Sequence, residues 1–190
     1  MKPSSIAITG TLALIPSAAW AHPGHVDGTG LLAGVAHPLS GGDHLVAMTL
    51  VGVWAALYAP KAKGVLLVPG AFMAAMILGF AISAFVPGLP AEALILASLA
   101  VLGVAAGTGL RASLPLAAGA AAVFGFGHGL AHGFETPEGA FPALFAAGFL
   151  ASTAALHGLG MAAVRFLPAP LTRAISVLAA GGALVAAGTA

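Results

Sequence analysis

Six apolar runs, each close to the length of a membrane crossing, constrain this chain more than any other feature. They lie at about Ser40 to Tyr58, Gly64 to Phe85, Ala91 to Leu110, Leu114 to His132, Phe141 to Val164 and Leu171 to Gly188. A helix needs about 20 apolar residues to cross a hydrocarbon core ~30 Å thick, and it satisfies its backbone polar groups internally. A barrel would show short alternating segments, and the unbroken runs argue against one. The connections carry turn residues: Ala59-Pro60-Lys61, Val86-Pro87-Gly88-Leu89-Pro90, Thr136-Pro137-Glu138-Gly139 and Pro168-Ala169-Pro170. None is long enough to hold a soluble domain, and no internal repeat stands out. The expected fold is all-α: a polytopic integral membrane protein of about six transmembrane helices forming one domain over 22–190.

Charged residues make up 6% of the chain and mean hydropathy is +1.08, against about 25% charged residues in a soluble domain. Twenty-seven glycines suit close helix approach in lipid, where small residues drive packing. With no Cys, disulfides and thiolate metal sites are excluded, so any metal must use imidazole, carboxylate, thioether or backbone oxygen. A net charge of +1 gives no support for nucleic-acid binding.

The first residues read as a secretory signal. Lys2 supplies a basic start, Ile6 to Ile15 a short apolar core and Ala19-Trp20-Ala21 a small-x-small cleavage site. Residues 1–21 are therefore expected to be removed, leaving His22-Pro23-Gly24-His25 at the mature terminus. The expected location is the bacterial cytoplasmic (inner) membrane, with both mature termini on the periplasmic side. Every basic residue of the mature chain (Lys61, Lys63, Arg111, Arg165 and Arg173) then falls in a cytoplasmic connection, while Glu92, Glu135 and Glu138 face outward. That is the positive-inside pattern. Trp54 and Tyr58 are expected at the inner interface, as an aromatic belt.

Against this apolar background two polar stretches stand out: His37-Pro38-Leu39-Ser40-Gly41-Gly42-Asp43-His44 and His128-Gly129-Leu130-Ala131-His132-Gly133-Phe134-Glu135. Ionisable groups are costly in a membrane and mark functional sites by default. The topology places both stretches on the outer face. On a helix His128, His132 and Glu135 stand at i, i+4 and i+7, on one side of the cylinder. Imidazole and carboxylate together suit a borderline divalent cation. His44 and Met48 share a face in the first span, and His37 is expected before that helix, with Gly41 and Gly42 permitting close approach.

Each motif also has a plainer reading. Ser40-Gly41-Gly42-Asp43 matches a capping box, so Asp43 is either a metal ligand or a helix cap. His128 and His132 are alternatively hydrogen-bond donors in a Gly125, Gly129, Gly133 packing face. His157, with Met161 at i+4, is either an inner exit ligand or a buried histidine bonded to a backbone carbonyl. His22 and His25 offer weak pre-collection of metal, and Met73 and Met76 are expected to pack.

Taken together, His37-Pro38-x-x-Gly41-x-Asp43-His44 and His128-Gly129-x-Ala131-His132-Gly133-x-Glu135 resemble the signature of the HupE/UreJ family, the hydrogenase- and urease-associated nickel/cobalt permeases. With the signal segment, the six spans and the length, the resemblance covers essentially the whole chain. It implies a transporter taking up Ni²⁺, with Co²⁺ as the alternative, for metalloenzyme assembly; Zn²⁺ is a further candidate cargo for such a donor set. It carries metal-site roles onto His37, Asp43, His44, His128, His132 and Glu135. Some members have a further His in the second motif, where Leu130 or its neighbours stand here. Homo-oligomerisation and a metallochaperone partner stay open.

Other classes fit less well. A haem-binding or other His-ligated electron carrier is the main alternative, since paired membrane histidines can ligate iron. No enzyme is expected: there is no His-Glu-x-x-His and no Gly-x-Ser-x-Gly. No tightly bound cofactor is expected either. ATP-driven transport would need a separate subunit, because no phosphate-binding Gly-x-x-x-x-Gly-Lys-Ser/Thr loop is present.

Overall fold

The computed structural model describes residues 30–58 and 62–189. The expected signal segment, His22 and His25 lie outside the described residues. Among the described residues seven α-helices follow one another: α1 Leu31–Ser40, α2 Gly42–Tyr58, α3 Ala62–Ile82, α4 Ala91–Thr108, α5 Leu114–Phe134, α6 Pro142–Phe166 and α7 Ala169–Ala187. A 3-10 turn, Ser83–Phe85, extends α3. Among the described residues there is no strand. Helices α3 to α7 are each long and apolar enough to cross a membrane. With the shorter α2 they account for the six expected spans, and the protein is a polytopic membrane protein.

The starts and stops follow local chemistry. Pro115, Pro142 and Pro170 occupy first-turn positions of α5, α6 and α7, where a missing N–H costs nothing. Gly109 ends α4 in the left-handed conformation, φ 79°, which a glycine adopts without a steric penalty.

Helix α1 is the element that the apolar periodicity does not announce. Gly30, with φ 65°, opens it, and α1 lies against α6 through Gly34 and Gly148. A side chain at Gly34 would meet the Phe145 carbonyl, and one at Gly148 the Leu31 carbonyl. Ser152 of α6 also donates to the Val35 carbonyl at 2.6 Å. This ten-residue helix is held by tertiary contact rather than by its own propensity. Gly41, with extended φ −87° and ψ 113°, separates it from α2.

Glycine approaches also fix the neighbours. Gly125, Gly129 and Gly133 of α5 sit against Phe72 and Met76 of α3 and Ser83 of the 3-10 turn that extends it, so both helices advance in the same direction. Gly52 of α2 faces the His157 carbonyl of α6, and Gly160 faces Thr49. Gly103 and Gly107 of α4 meet Ala180 and Val177 of α7, an antiparallel pair. Parallel α3 and α5, with α4 between them in sequence, agree with one crossing per helix. The exterior is apolar, with Leu66, Leu78, Phe85, Val104 and Leu178 exposed, while the interior holds His44, Ser98, His128, His132, Thr153 and His157. That inversion suits lipid outside and a polar path within.

Two local expectations change. Trp54 is not at a lipid interface: it is 4% exposed, and its indole N–H donates to the Leu110 carbonyl at 3.4 Å. No capping box forms, because the Ser40 hydroxyl turns back onto the His37 carbonyl at 2.9 Å. Ser40 still belongs to α1, so it cannot serve as the N-cap of α2.

Candidate metal centre

Three helices bring their imidazoles together. His37 comes from α1, His44 from the first turn of α2 and His132 from the last turn of α5. One ligand nitrogen from each lies within 4.8 Å of the others. Their ring centroids are 5.9 Å apart for His37 and His44, and 5.0 Å for His132 with either partner. Nitrogens bound at about 2.0–2.1 Å to a tetrahedral ion stand ~3.4 Å apart, so a small inward movement of the rings closes the site. His44 and His132 are buried and His37 is partly exposed, which leaves the cluster open on the His37 side.

Hydrogen bonds decide which nitrogens are free. Asp43 Oδ1 lies 3.0 Å from His44 Nδ1 and accepts the His44 backbone N–H at 2.7 Å. A carboxylate can only accept here, so Nδ1 carries the proton and Nε2 keeps its lone pair. His44 Nε2 has no partner among the described residues. The carboxylate behind a histidine is the arrangement that orients metal-binding imidazoles and raises their basicity. Asp43 therefore stands behind His44 rather than at the centre of the cluster. Gly41 makes room for this pair: a Cβ there would stand 3.0 Å from Asp43 Oδ1 and 3.3 Å from His44 Nδ1. Gly42, by contrast, faces open space.

His132 has neither ring nitrogen paired among the described residues, although it is fully buried. Its ring is stacked on Phe149 of α6, centroids 4.5 Å apart and planes 15° from parallel. An unpaired buried polar group costs about 1–3 kcal/mol, and as a neutral imidazole this ring has one lone pair, on either nitrogen, free for a ligand. Phe149 fixes the ring plane and contacts its face, so the in-plane lone pair stays uncovered by that contact.

Glu135 caps the end of α5 and reaches His37, with Oε2 2.8 Å from Nε2. Its side chain is half-exposed at the rim of the cluster. The expected helical i+7 placement is replaced by one residue beyond the helix, since α5 ends at Phe134.

His128 lies one turn deeper along α5, its ring 4.8 Å from that of His44. Ser98 of α4 gives its own hydroxyl hydrogen to the Ile95 carbonyl at 2.6 Å, so its oxygen accepts from His128 Nε2 at 3.2 Å. His128 Nδ1 is left unpartnered among the described residues. The glycine reading and the ligand reading of this helix are both satisfied, on different sides. Gly125, Gly129 and Gly133 meet α3, whereas His132 meets α1, α2 and α6.

Deeper still, His157 of α6 donates through Nδ1 to the Met48 carbonyl at 2.7 Å. The sulfur of Met48 accepts from the Thr153 hydroxyl at 3.1 Å. Met76 packs in the core, as expected. Sequence reasoning did not single out Ser98, Phe149, Thr153 or Phe72. No local spacing marks them, and they enter only because α3, α4 and α6 are packed around the histidines.

The whole chain matches known proteins of one kind. The family model described as HupE / UreJ protein matches residues 10–190. Protein HupE of Rhizobium leguminosarum bv. viciae is 40% identical over 196 aligned residues, covering 100% of this chain and 98% of the relative. No solved structure matches.

Proposed function

This chain belongs to the HupE/UreJ family, and from that premise we propose that it carries divalent nickel, with cobalt as the alternative cargo, into the cell. The family is associated with nickel and cobalt uptake for hydrogenase and urease. The observation that carries the reading is the convergence of His37, His44 and His132 within 4.8 Å, with buried nitrogens of His44 and His132 left unpartnered among the described residues. A neutral imidazole set backed by carboxylates favours borderline divalent cations over hard ones.

The mechanism follows from the layout. A hydrated cation meets the half-exposed Glu135 at the rim, where its charge weakens the His37–Glu135 contact. Waters are then exchanged for His37, His44 and His132 nitrogens. Asp43 holds the His44 ring so that Nε2 faces the ion. His128 offers the next lone pair inward. Binding has to stay weak enough for release, as in any conducting site. In this reading the cluster faces the periplasm of an inner-membrane protein, since Arg111, Arg165 and Arg173 lie near the other helix ends. The role is transport rather than catalysis.

The haem alternative loses ground on geometry. Axial ligands bind iron from opposite faces of a flat macrocycle, whereas His37, His44 and His132 pack against one another and against Phe149. Uptake into vesicles containing the purified protein tests the transport reading. Saturable Ni²⁺ uptake, competed by Co²⁺ more than by Mg²⁺, is expected to disappear in His44→Ala and His132→Ala. Unchanged uptake by either variant at equal protein level would refute it.

A further inference from the structure

Below the outer cluster, the seam between α2 and α6 holds two buried polar side chains, Thr153 and His157, and the thioether of Met48, none of which the outer site uses. Met48, Thr153 and His157 are 0%, 0% and 1% exposed. His157 Nδ1 donates to the Met48 carbonyl, so Nε2 carries the lone pair, and it has no partner among the described residues. Thr153, one turn earlier on α6, donates to Met48 Sδ and leaves a further lone pair on that sulfur. The seam is tight, because a side chain at Gly52 would strike the His157 carbonyl.

A purely structural histidine explains only half of this. The bond from Nδ1 to Met48 ties α6 to α2, and any donor of similar length would do the same. It does not require a second ring nitrogen that is buried and unpaired, which costs about 1–3 kcal/mol. Phe72 of α3 supplies the remaining geometry. Its fully buried ring contacts His128 at 5.3 Å and His157 at 5.2 Å, centroid to centroid. One aromatic ring therefore touches the deepest histidine of the outer group and the histidine of the inner seam.

We infer that Met48, Thr153 and His157 form a second, inner cation station, set apart from the outer centre by the Phe72 ring. Its donors are one imidazole nitrogen, one thioether sulfur and one hydroxyl. That mixture suits borderline ions such as Ni²⁺, Co²⁺ and Zn²⁺ and suits Mg²⁺ or Ca²⁺ poorly. Two stations divide the work: the outer one captures, and the inner one discriminates again after the waters are lost. The inference rests on the transport reading, and its test separates the two.

Equilibrium dialysis of the purified protein against Ni²⁺, paired with vesicle uptake, provides that test. Wild type is expected to bind with two classes of site. His157→Gln keeps a side-chain donor for the Met48 carbonyl but has no imidazole lone pair, and Met48→Leu removes the sulfur at nearly constant volume. Each is expected to lose the inner class while keeping the outer one. Maximal Ni²⁺ uptake should fall at least tenfold in His157→Gln and severalfold in Met48→Leu, with half-saturation within twofold of wild type. A His44→Ala/His132→Ala protein should show the converse, with the inner class alone remaining. Two-class binding and wild-type maximal uptake in His157→Gln would overturn the inner station and make His157 a packing residue. If His157→Gln does not fold, unchanged binding and uptake in Met48→Leu overturns it. Failure of the outer reading looks different: His44→Ala/His132→Ala would then bind and transport like wild type.

Discussion

Replacing Asp43 with Asn separates orientation from ligation. The Asp43 carboxylate lies 3.0 Å from His44 Nδ1 and also accepts the His44 backbone N–H. Asn keeps a carbonyl oxygen for both donors and is as good as Asp near a helix start, so the fold should be unaffected. It removes the negative charge that polarises the imidazole and holds its tautomer. Partners of this kind contribute about 10–100-fold in metal affinity, equivalent to ~1.4–2.7 kcal/mol. Calorimetric titration of the purified protein with Ni²⁺ should show that weakening, with the thermal midpoint of the metal-free protein within a degree or two of wild type. Unchanged affinity would mean that the carboxylate only organises the turn before α2. Loss of binding beyond about a thousandfold would make Asp43 a direct ligand. Either result refutes the assignment made here.

Three further outcomes are expected. Gly129→Ala places a methyl against the Met76 carbonyl, and overpacking of this kind costs about 1–3 kcal/mol. Thermal unfolding should shift down and Ni²⁺ affinity should fall, because His128 and His132 flank that contact. Gly119→Ala, which meets nothing within 4 Å, should leave both unchanged. Glu135→Gln removes the charge at the rim, so the half-saturating Ni²⁺ concentration for uptake should rise severalfold at low salt, and the difference should shrink as salt screens the wild type. Lowering pH should weaken Ni²⁺ binding, since a protonated imidazole has no lone pair and metal binding must then displace protons. The sign is testable by titrating Ni²⁺ at two pH values in a weakly coordinating buffer.

The membrane architecture was readable because the hydrocarbon core sets one length for every span. Helix boundaries at Ala91, Leu114 and Pro142 follow from proline and glycine chemistry that is local in sequence. Helix α1 was hidden because its ten residues are stabilised by contact with α6 through Gly34 and Gly148. Trp54 differs for a related reason, since its position near a span end says nothing about whether the connection after α4, at Leu110, reaches its indole N–H.

The candidate site divides in the same way. His37, His44 and His132 stand out as polar residues in an apolar chain, and a topology that puts both motifs on one face is enough to bring them together. Which acidic groups would stand behind the imidazoles of the proposed site is not legible from spacing alone. Asp43 depends on a rotamer pointing at its neighbour, and Glu135 on where α5 stops. Met48 shares a helical face with His44, yet its sulfur and carbonyl are engaged by Thr153 and His157 of α6. That pairing spans more than a hundred residues and rests on Gly52 and Gly160 letting two backbones meet.

X-ray absorption at the nickel K-edge, on protein loaded with one equivalent of Ni²⁺, counts the imidazoles of the proposed centre. A first shell containing three imidazole nitrogens is expected in the wild type and two in His132→Ala. An oxygen-only shell, or an imidazole count that His132→Ala leaves unchanged, would contradict it.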